Sequence, residues 1–558
     1  MRPSTPCLLT SGTSVRLSAG WGMKLRIVLL VAVLFLYCSV LFGDQGHSHA
    51  YNPNEKLGAV SFPTSCVPAV QKSFERGVAL MHSFWYEEAE KQFADVAAKD
   101  PTCAIAYWGE SLSLWHQLWE RPDEAKIKRG LALVQQAQAA KPKTQREQDY
   151  VAAAAAFYVP DAKTDFDQRT AAYSKAMEKV YRDYPKDHEA TAFYALSLLA
   201  SAPPRDPTFA NQKKAIAVLQ PLVDAQPDHP GAAHYLIHAS DSPQLAPLGL
   251  AAARRYAQIA PASPHAVHMP SHIFARLGLW QEDIQSNLAS VAATQKATEM
   301  HMGGAAHALH AMDFLEYAYL QIGDDAKAKA IVAQMDTMQE MDMGDGMHGY
   351  LDMARAAFPA TYAIETRNWK DAAALKAIPS AKPYNAAVVY WAQAVGYGHL
   401  HDAANAHRAV AQYDAMVEAT KKTSEAYYAE YMDTDGDEAR AWAAFADGNN
   451  DEALRLMHSV ADKQDSLGKG ETALPAREML ADMLMEMKRP ADALAEYEKS
   501  MKVDPNRFNG LYGAAQAAAA VNQPDKAKTY YAQLLKNCDG STSDRPELTQ
   551  AKTLLAMK

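Results

Sequence analysis

The chain has 558 residues, with 55 lysines and arginines against 65 aspartates and glutamates, and a formal net charge of -10 at pH 7. This negative balance, without a stripe of clustered basic residues, argues against a protein that binds nucleic acid. Abundant alanine and few β-branched runs after residue 60 favour helices. We therefore expect an all-α protein that is long enough to bury a large core.

The N-terminal residues 1–43 have the character of a signal or anchor segment. The apolar run from Ile27 to Phe42 follows Lys24 and Arg26, which predicts export with the N-terminus inside. Residues 1–22 are then an upstream extension, because Met23 opens a natural start. No second apolar stretch of this length follows. The sequence thus predicts an exported, periplasmic or otherwise extracytoplasmic protein that contacts a membrane only through residues 27–42.

Three further regions follow the N-terminal segment. We predict a linker at residues 44–65, a divergent helical-repeat domain at 66–470 and C-terminal repeats at 471–558. In an oxidising compartment Cys66 can pair with Cys103, since each precedes a predicted helix of adjacent hairpins. The sequence leaves this pairing open. If it forms, Cys538 is the unpaired cysteine.

A small residue, an aromatic residue and a proline recur at fixed spacing along the chain. The first unit has Ala89, Phe93 and Pro101, and a unit near the C-terminus has Ala493, Tyr497 and Pro505. Another 34 residues on, Ala527 and Tyr531 repeat the pattern. The small residue lets two helices approach closely, the aromatic ring fills the adjacent groove, and the proline ends the second helix. The pattern predicts stacked helical hairpins.

The 34-residue spacing resembles that of the tetratricopeptide repeat superfamily over most of residues 66–558. Phrases such as AAHYLIHASDSP and PHAVHMPSHIFARLGLW also resemble a bacterial group of exported tetratricopeptide repeat proteins. The resemblance implies an all-α, right-handed superhelix (an α-solenoid) of about ten helix-turn-helix hairpins. It also implies a concave groove that binds a protein or peptide partner.

Two His-x-x-x-His pairs lie one repeat apart, and each histidine is 34 residues from its counterpart. The resemblance places both pairs at positions 5 and 9 of successive first helices, which line the groove. Further histidines crowd the same region. The groove and binding residues predicted in this way are His234, His238, Asp241, His265, His268, His272, His307, His310 and Asp313.

These histidines also allow a metal site. Imidazoles four residues apart share one helix face, so His234, His238, His268 and His272 could together surround one zinc or copper ion. Asp241 and Asp313 would serve as ligands or fix the imidazole tautomers. The alternative is that the histidines only form hydrogen bonds between helices.

Pro270 complicates the second pair. A proline either kinks the helix that holds both histidines or begins a new helix. In the latter case His265 and His268 lie in the preceding loop.

We assign no catalytic residue. Both histidine pairs lack the adjacent glutamate that zinc peptidases use as a general base, and no nucleophile elbow, phosphate loop or dinucleotide fingerprint occurs. The sequence therefore favours a binding protein over an enzyme. It is interpreted as an exported repeat scaffold that binds a partner in its groove, or alternatively as a metal-binding or metal-dependent protein.

Overall fold

The described part of the protein consists of α-helices, two short 3-10 helices and connecting loops, without a strand. A computed structural model describes residues 55–119, 121–161, 163–300, 302, 306–338 and 349–556. The predicted signal or anchor segment 1–43 and residues 44–54 of the predicted linker lie outside the described residues. Among the described helices, none combines the length and apolar character that a membrane crossing needs.

The helices follow one another with short connections. The first fifteen are α1 (Gln71–His82), α2 (Tyr86–Lys99), α3 (Ala104–Ser113), α4 (Glu124–Ala139), α5 (Gln145–Phe157), α6 (Phe166–Asp183), α7 (His188–Ala200), α8 (Ala210–Ala225), α9 (Pro230–Ser240), α10 (Ala246–Ile259), α11 (Pro264–His268), α12 (Pro270–Arg276), α13 (Trp280–Glu299), α14 (Ala306–Gln321) and α15 (Asp325–Thr337). The remaining helices are α16 (Tyr350–Glu365), α17 (Trp369–Ala374), α18 (Pro383–His399), α19 (Ala403–Thr420), α20 (Asp433–Ala446), α21 (Asn450–Leu467), α22 (Ala476–Glu486), α23 (Pro490–Val503), α24 (Phe508–Ala520), α25 (Pro524–Asn537) and α26 (Pro546–Ala556). The 3-10 helices are Pro68–Val70 and Ala426–Glu430.

Consecutive helices pack as hairpins, from α1 with α2 to α24 with α25, and α26 caps the end. The short helices α11 and α12 together form the first arm of one hairpin. The described residues thus contain twelve hairpins, against about ten expected. The all-α superhelix of stacked hairpins is confirmed.

The small and aromatic residues of the predicted pattern are buried at both ends of the repeat array, and the aromatic rings pack against glycines that the pattern did not include. Phe93 is fully buried, and a Cβ added to Gly109 would lie 2.6 Å from its ring. A Cβ on Gly513 would likewise lie 2.3 Å from the ring of Tyr497. The aromatic residues therefore lie directly against the backbone of the next helix, which only glycine permits there.

The prediction of a linker at residues 44–65 is wrong for residues 55–65, because this segment packs against the helices. Phe62 is fully buried between aromatic rings, and the backbone N–H and hydroxyl of Ser65 donate to the carboxylate of Glu147. Cys66 and Cys103 form the disulfide that the sequence left open, and Cys538 is a buried free thiol, as expected. The segment is thus tied to the first repeats by burial, hydrogen bonds and a covalent bond.

The superhelix folds back so that its C-terminal repeats contact the middle ones. The Trp280 indole N–H donates to the carbonyl of Asn506 at 2.7 Å. A Cβ on Gly278 would lie 2.2 Å from the carbonyl oxygen of Pro505, so the two turns meet backbone to backbone. The residues from Glu55 onward form one compact unit, and no separation is visible at the domain boundary predicted at residues 470 and 471.

Candidate metal centre

The predicted histidines converge in the interior, from helices α9, α11, α12 and α14. His234, His265 and His268 are almost completely buried, while His238 and His310 keep part of their surface exposed. This corrects the expectation that they line an open groove. Aromatic side chains from sequence-distant repeats cover them: Phe84 contacts His234 and His265, and Trp119 contacts His265.

Pro270 neither kinks a continuous helix nor leaves its neighbours in a loop. Helix α11 ends at His268 and α12 begins at Pro270, with Met269 between them at helical angles of φ -50° and ψ -34°. Because the backbone stays helical through Met269, His268 and His272 remain on one face. A helix does begin at Pro270, as one of the two alternatives predicted, but the expectation that His265 and His268 would then lie in a loop is wrong, because both lie in α11.

Three histidines form what we call the first triad: His234, His238 and His265. One ring nitrogen from each lies within 4.8 Å of the corresponding nitrogens of the other two. The Nδ1 of His234 lies 2.6 Å from the carbonyl oxygen of His82, to which its N–H donates. The Nε2 of His234 therefore presents a lone pair to the triad.

Most of the remaining ring nitrogens of the first triad lack a partner from the described part of the protein. Four buried ring nitrogens have no hydrogen-bond partner among the described residues: Nε2 of His234, Nε2 of His238, and both nitrogens of His265. An unsatisfied buried polar group costs about 1–3 kcal/mol, and such groups call for a bound ion, a water or a chemical role.

His268, His272 and His310 form the second triad, with the same spacing of ligand atoms. The Nδ1 of His268 lies 2.6 Å from Oδ1 of Asn287, whose amide nitrogen is held by Asp283 at 2.8 Å. This bond orients the Asn287 oxygen toward His268, so the Nδ1–H of His268 is the donor. Its Nε2 is left with a lone pair.

Two carboxylates contact the other side of His272. Its Nδ1–H donates to Asp241 at 2.8 Å, and Glu471 lies 3.2 Å from the same nitrogen. Arg276 binds both carboxylates, at 3.0 Å to Asp241 and 3.3 Å to Glu471. These contacts fix the ring and point its Nε2 into the triad.

The Nε2 atoms of His268 and His272 consequently face each other at 3.0 Å. Two lone pairs at this distance repel, so a cation must lie between them, either a proton or a metal ion. Nitrogen ligands around a tetrahedral ion with bonds of about 2.0–2.1 Å are about 3.3 Å apart. A small outward movement of the two rings would accommodate a metal.

Burial keeps most of these imidazoles neutral. It lowers the pKa of His234 and of His310 to about 3, and it holds the pKa values of His238, His265 and His268 well below the usual range. His272 differs. Burial alone would lower its pKa, but the charges of Asp241 and Glu471 and the hydrogen bonds to them outweigh this effect and raise it to about 10. In the metal-free protein His272 therefore supplies the proton between the two Nε2 atoms.

The two triads are neighbours. The ring centroids of His238 and His272 are 6.1 Å apart, and those of His265 and His268 are 6.0 Å apart. Within the triads, centroid separations run from 4.4 to 6.1 Å. The four histidines predicted as one metal set are divided between two triads by the positions of their ligand atoms, with His265 joining the first pair and His310 joining the second.

Another histidine group nearby, His82, Glu189 and His229, has a different character. Glu189 binds Nε2 of His82 at 2.6 Å and lies 3.3 Å from Nε2 of His229. The other nitrogen of each ring is also used: Nδ1 of His82 accepts from the Tyr235 hydroxyl, and Nδ1 of His229 accepts from the N–H of Ala232. Nε2 of His229 and Oε1 of Glu189 have no hydrogen-bond partner among the described residues, but they lie close enough to each other to form an ion pair. Because this group carries its own negative charge, we interpret it as a structural hub.

The structure places the other predicted residues at the edge of the triads. Asp313 accepts a hydrogen bond from Thr472 rather than from a histidine. His307 stacks near His265 and Trp119 but belongs to neither triad. Sequence reasoning missed Asn287 and Glu471. Asn287 lies 19 residues after His268, on the second arm of the same hairpin, whereas Glu471 carries no local signal because it arrives through the fold-back of the superhelix.

Comparisons with known proteins give similarity of architecture alone. No family model matches the chain, and no curated protein matches it. Among solved structures, a tetratricopeptide repeat protein from Parabacteroides merdae ATCC 43184 is 13% identical, with a TM-score of 0.28, over 52% of this chain and 98% of that one. Yeast Tom70 is 11% identical, with a TM-score of 0.32, over 88% of this chain and 96% of that one. The APC/C hetero-tetramer Cut9-Hcn1 is 12% identical, with a TM-score of 0.32, over 87% of this chain and 89% of that one.

These likenesses are too remote to carry an argument about function. The architecture rests on the chain's own hairpins and on the 34-residue recurrence of their packing residues. The chain is an all-α helical-repeat protein of tetratricopeptide-like hairpins.

Proposed function

We propose that this helical-repeat protein binds two metal ions, one in each histidine triad, and that the ions are zinc or copper. The observation that carries the proposal is the set of four buried ring nitrogens in the first triad without a hydrogen-bond partner among the described residues. A metal ion would accept the lone pairs of three neutral imidazoles there at once.

The second triad supports the same function through its hydrogen bonds. Metal-bound histidines usually donate their other N–H to a carboxylate or an amide oxygen, which fixes the tautomer and strengthens the ligand. His268 does so to Asn287, and His272 does so to Asp241. The ring nitrogens that face one another are therefore those prepared to bind a cation.

The donor set selects the kind of metal. Each triad offers imidazole nitrogens alone, without a carboxylate or thiolate in the triad itself. Magnesium and calcium prefer oxygen ligands, whereas zinc and copper suit imidazole. Three protein ligands also leave a coordination position open, as in zinc sites that bind a water or a substrate.

Elemental analysis of the full chain, purified without a polyhistidine tag, tests the proposal. We expect two equivalents of zinc or copper per chain after loading and removal of loosely bound ions. His265→Asn and His310→Asn should each reduce the content to one equivalent, because each removes one ligand from one triad. His307→Asn is the matched control, since His307 lies beside both triads but belongs to neither.

Folding of each variant is checked by circular dichroism and thermal unfolding. A metal content below half an equivalent in the folded wild-type chain contradicts the proposal. So does an unchanged content in the His265→Asn and His310→Asn double variant. The predicted protein or peptide partner stays a prediction, because the histidines assigned to a groove are buried.

A further inference from the structure

The two triads face each other closely enough for their ions to share a ligand. An ion bound to an imidazole nitrogen at about 2.0 Å lies about 3 Å from the ring centroid, so rings around one ion are about 5 Å apart. The centroid separations within the triads run from 4.4 to 6.1 Å and bracket this value. Rings of opposite triads are only 6.0 and 6.1 Å apart. Two ions would thus lie side by side, each with its open position available to the space between them.

The donor atoms favour a pair of copper ions. Paired iron or manganese ions in helical proteins are held largely by glutamates, but neither triad contains a carboxylate. The nearest carboxylates, Asp241 and Glu471, contact Nδ1 of His272, on the side of the ring away from its Nε2. Six neutral imidazoles suit copper in both of its common oxidation states.

The burial of the triads limits the total charge that two copper ions and a ligand between them can carry. The triads lie among aromatic rings, with Phe84 stacked on His238 and His265 and with Phe314 against all three histidines of the second triad. Added charge is unfavourable in such surroundings. Two Cu(I) ions carry a total charge of +2, and their oxidation to two Cu(II) ions alone would double it.

Dioxygen bound between the two copper ions would prevent this increase in total charge. If each Cu(I) gives one electron to a dioxygen molecule bound between them, the products are two Cu(II) ions and one bridging peroxide dianion. Two electrons move, the oxygen–oxygen bond order falls from two to one without cleavage, no proton is taken up, and the total charge stays at +2. The same electrons return to the copper ions when dioxygen leaves. His238 and His310 are both partly exposed, so each triad reaches the protein surface at one of its histidines.

We propose that the two triads form one dinuclear copper centre that binds dioxygen reversibly between its ions. This inference rests on the proposed function, because it requires both triads to hold metal. It adds the identity of the metal, the coupling of the two ions and the chemical class of the ligand.

The test begins with the full chain loaded with two equivalents of Cu(I) without oxygen. Measured oxygen is then added, and uptake, near-ultraviolet absorption and the electron paramagnetic resonance signal are recorded. We expect one dioxygen per two copper ions, a new charge-transfer absorption, and no resonance signal, because two bridged Cu(II) spins cancel. Flushing with inert gas should reverse the absorption.

Variants that keep only one intact triad show how a single copper ion behaves without a partner ion. His265→Asn and His310→Asn should each bind one copper, take up no oxygen reversibly, and show the full resonance signal of isolated Cu(II) after oxidation. His307→Asn should behave as the wild type. Loading with two zinc ions should give no absorption change with oxygen.

Three outcomes overturn the inference, and they are distinguishable. If two copper ions bind but oxygen produces two isolated Cu(II) signals, or nothing, the triads hold metal without forming a coupled centre. The proposed function then survives. If no copper binds to the folded chain while zinc does, the choice of metal is wrong, and if neither binds, the proposed function fails as well.

Discussion

Glu471 lies 3.2 Å from Nδ1 of His272, although the two residues are 199 positions apart in the chain. Burial would raise the pKa of Glu471, but the charge of Arg276 and the hydrogen bond with His272 hold it well below its usual range. Glu471 therefore stays ionised beside His272, which is the one histidine of the two triads whose pKa is raised. The two triads should in consequence respond differently to pH.

The first prediction concerns metal affinity. A metal entering the second triad must displace the proton of His272, whose pKa is about 10. Its apparent affinity should rise about tenfold per pH unit between pH 6 and 9. The first triad, with the pKa of His234 at about 3 and those of His238 and His265 well below the usual value, should show no such slope. Competition titrations on His265→Asn and His310→Asn isolate the two triads, and equal slopes would contradict the assignment.

The second prediction concerns the stability of the metal-free protein. The folded-state pKa of His272 is raised above the unfolded value, so its charged form stabilises the fold fully below about pH 6.5. This stabilisation should be lost as the pH rises toward 10. Urea unfolding at several pH values measures it. Asp241→Asn should reduce this pH dependence of the free energy of unfolding. Zinc-loaded protein should lack it, because the metal replaces the proton of His272.

The third prediction tests the packing of aromatic residues against glycine. Gly513→Ala should destabilise the protein by about 1–3 kcal/mol, because the new methyl group would lie 2.3 Å from the buried ring of Tyr497. Helix propensity alone predicts the opposite, a gain of about 1 kcal/mol. The exposed Ala519, on the same helix, provides the control, since Ala519→Gly measures propensity without a clash. A stabilised Gly513→Ala protein in urea unfolding would contradict the packing described.

The fourth prediction concerns a buried ion cluster where the C-terminal repeats meet the middle ones. Arg507 contacts Glu365 at 2.7 Å and Glu478 at 3.0 Å, and all three are almost completely buried. Arg507→Met should cost about 3–5 kcal/mol, because it leaves two carboxylates without their cation. Adding Glu365→Gln and Glu478→Gln should recover most of the loss in thermal unfolding. If the triple variant is no more stable than the single one, the cost arises from packing rather than charge.

The repeat architecture could be predicted because its causes are local. The spacing of Ala89 and Phe93, and of Ala493 and Tyr497, indicates which helix faces are buried, and the structure confirms that all four side chains are buried. The clustering of the histidines was predictable for the same reason. Four residues along a helix, or 34 along the repeat, bring side chains to one region.

The grouping of the histidines could not be predicted. It depends on the break at Met269 and on how far His310 reaches from α14, which are properties of packing rather than of spacing. Glu471 was beyond sequence reasoning, because the path of the superhelix alone brings it to His272. Phe84 and Trp119 were missed as the cover of the triads for a similar reason.

The distance in sequence between His272 and Glu471 has a consequence for how the protein is made. All six histidines of the triads leave the ribosome before Glu471, and at about 5–20 residues per second the delay is about 10–40 s. During that time the nascent chain has the imidazoles and Asp241 but lacks Glu471, the second of the two carboxylates that raise the pKa of His272. An ion captured early would meet less competition from protons than it would in the finished protein. The order of synthesis itself thus favours loading the second triad before the superhelix closes over it.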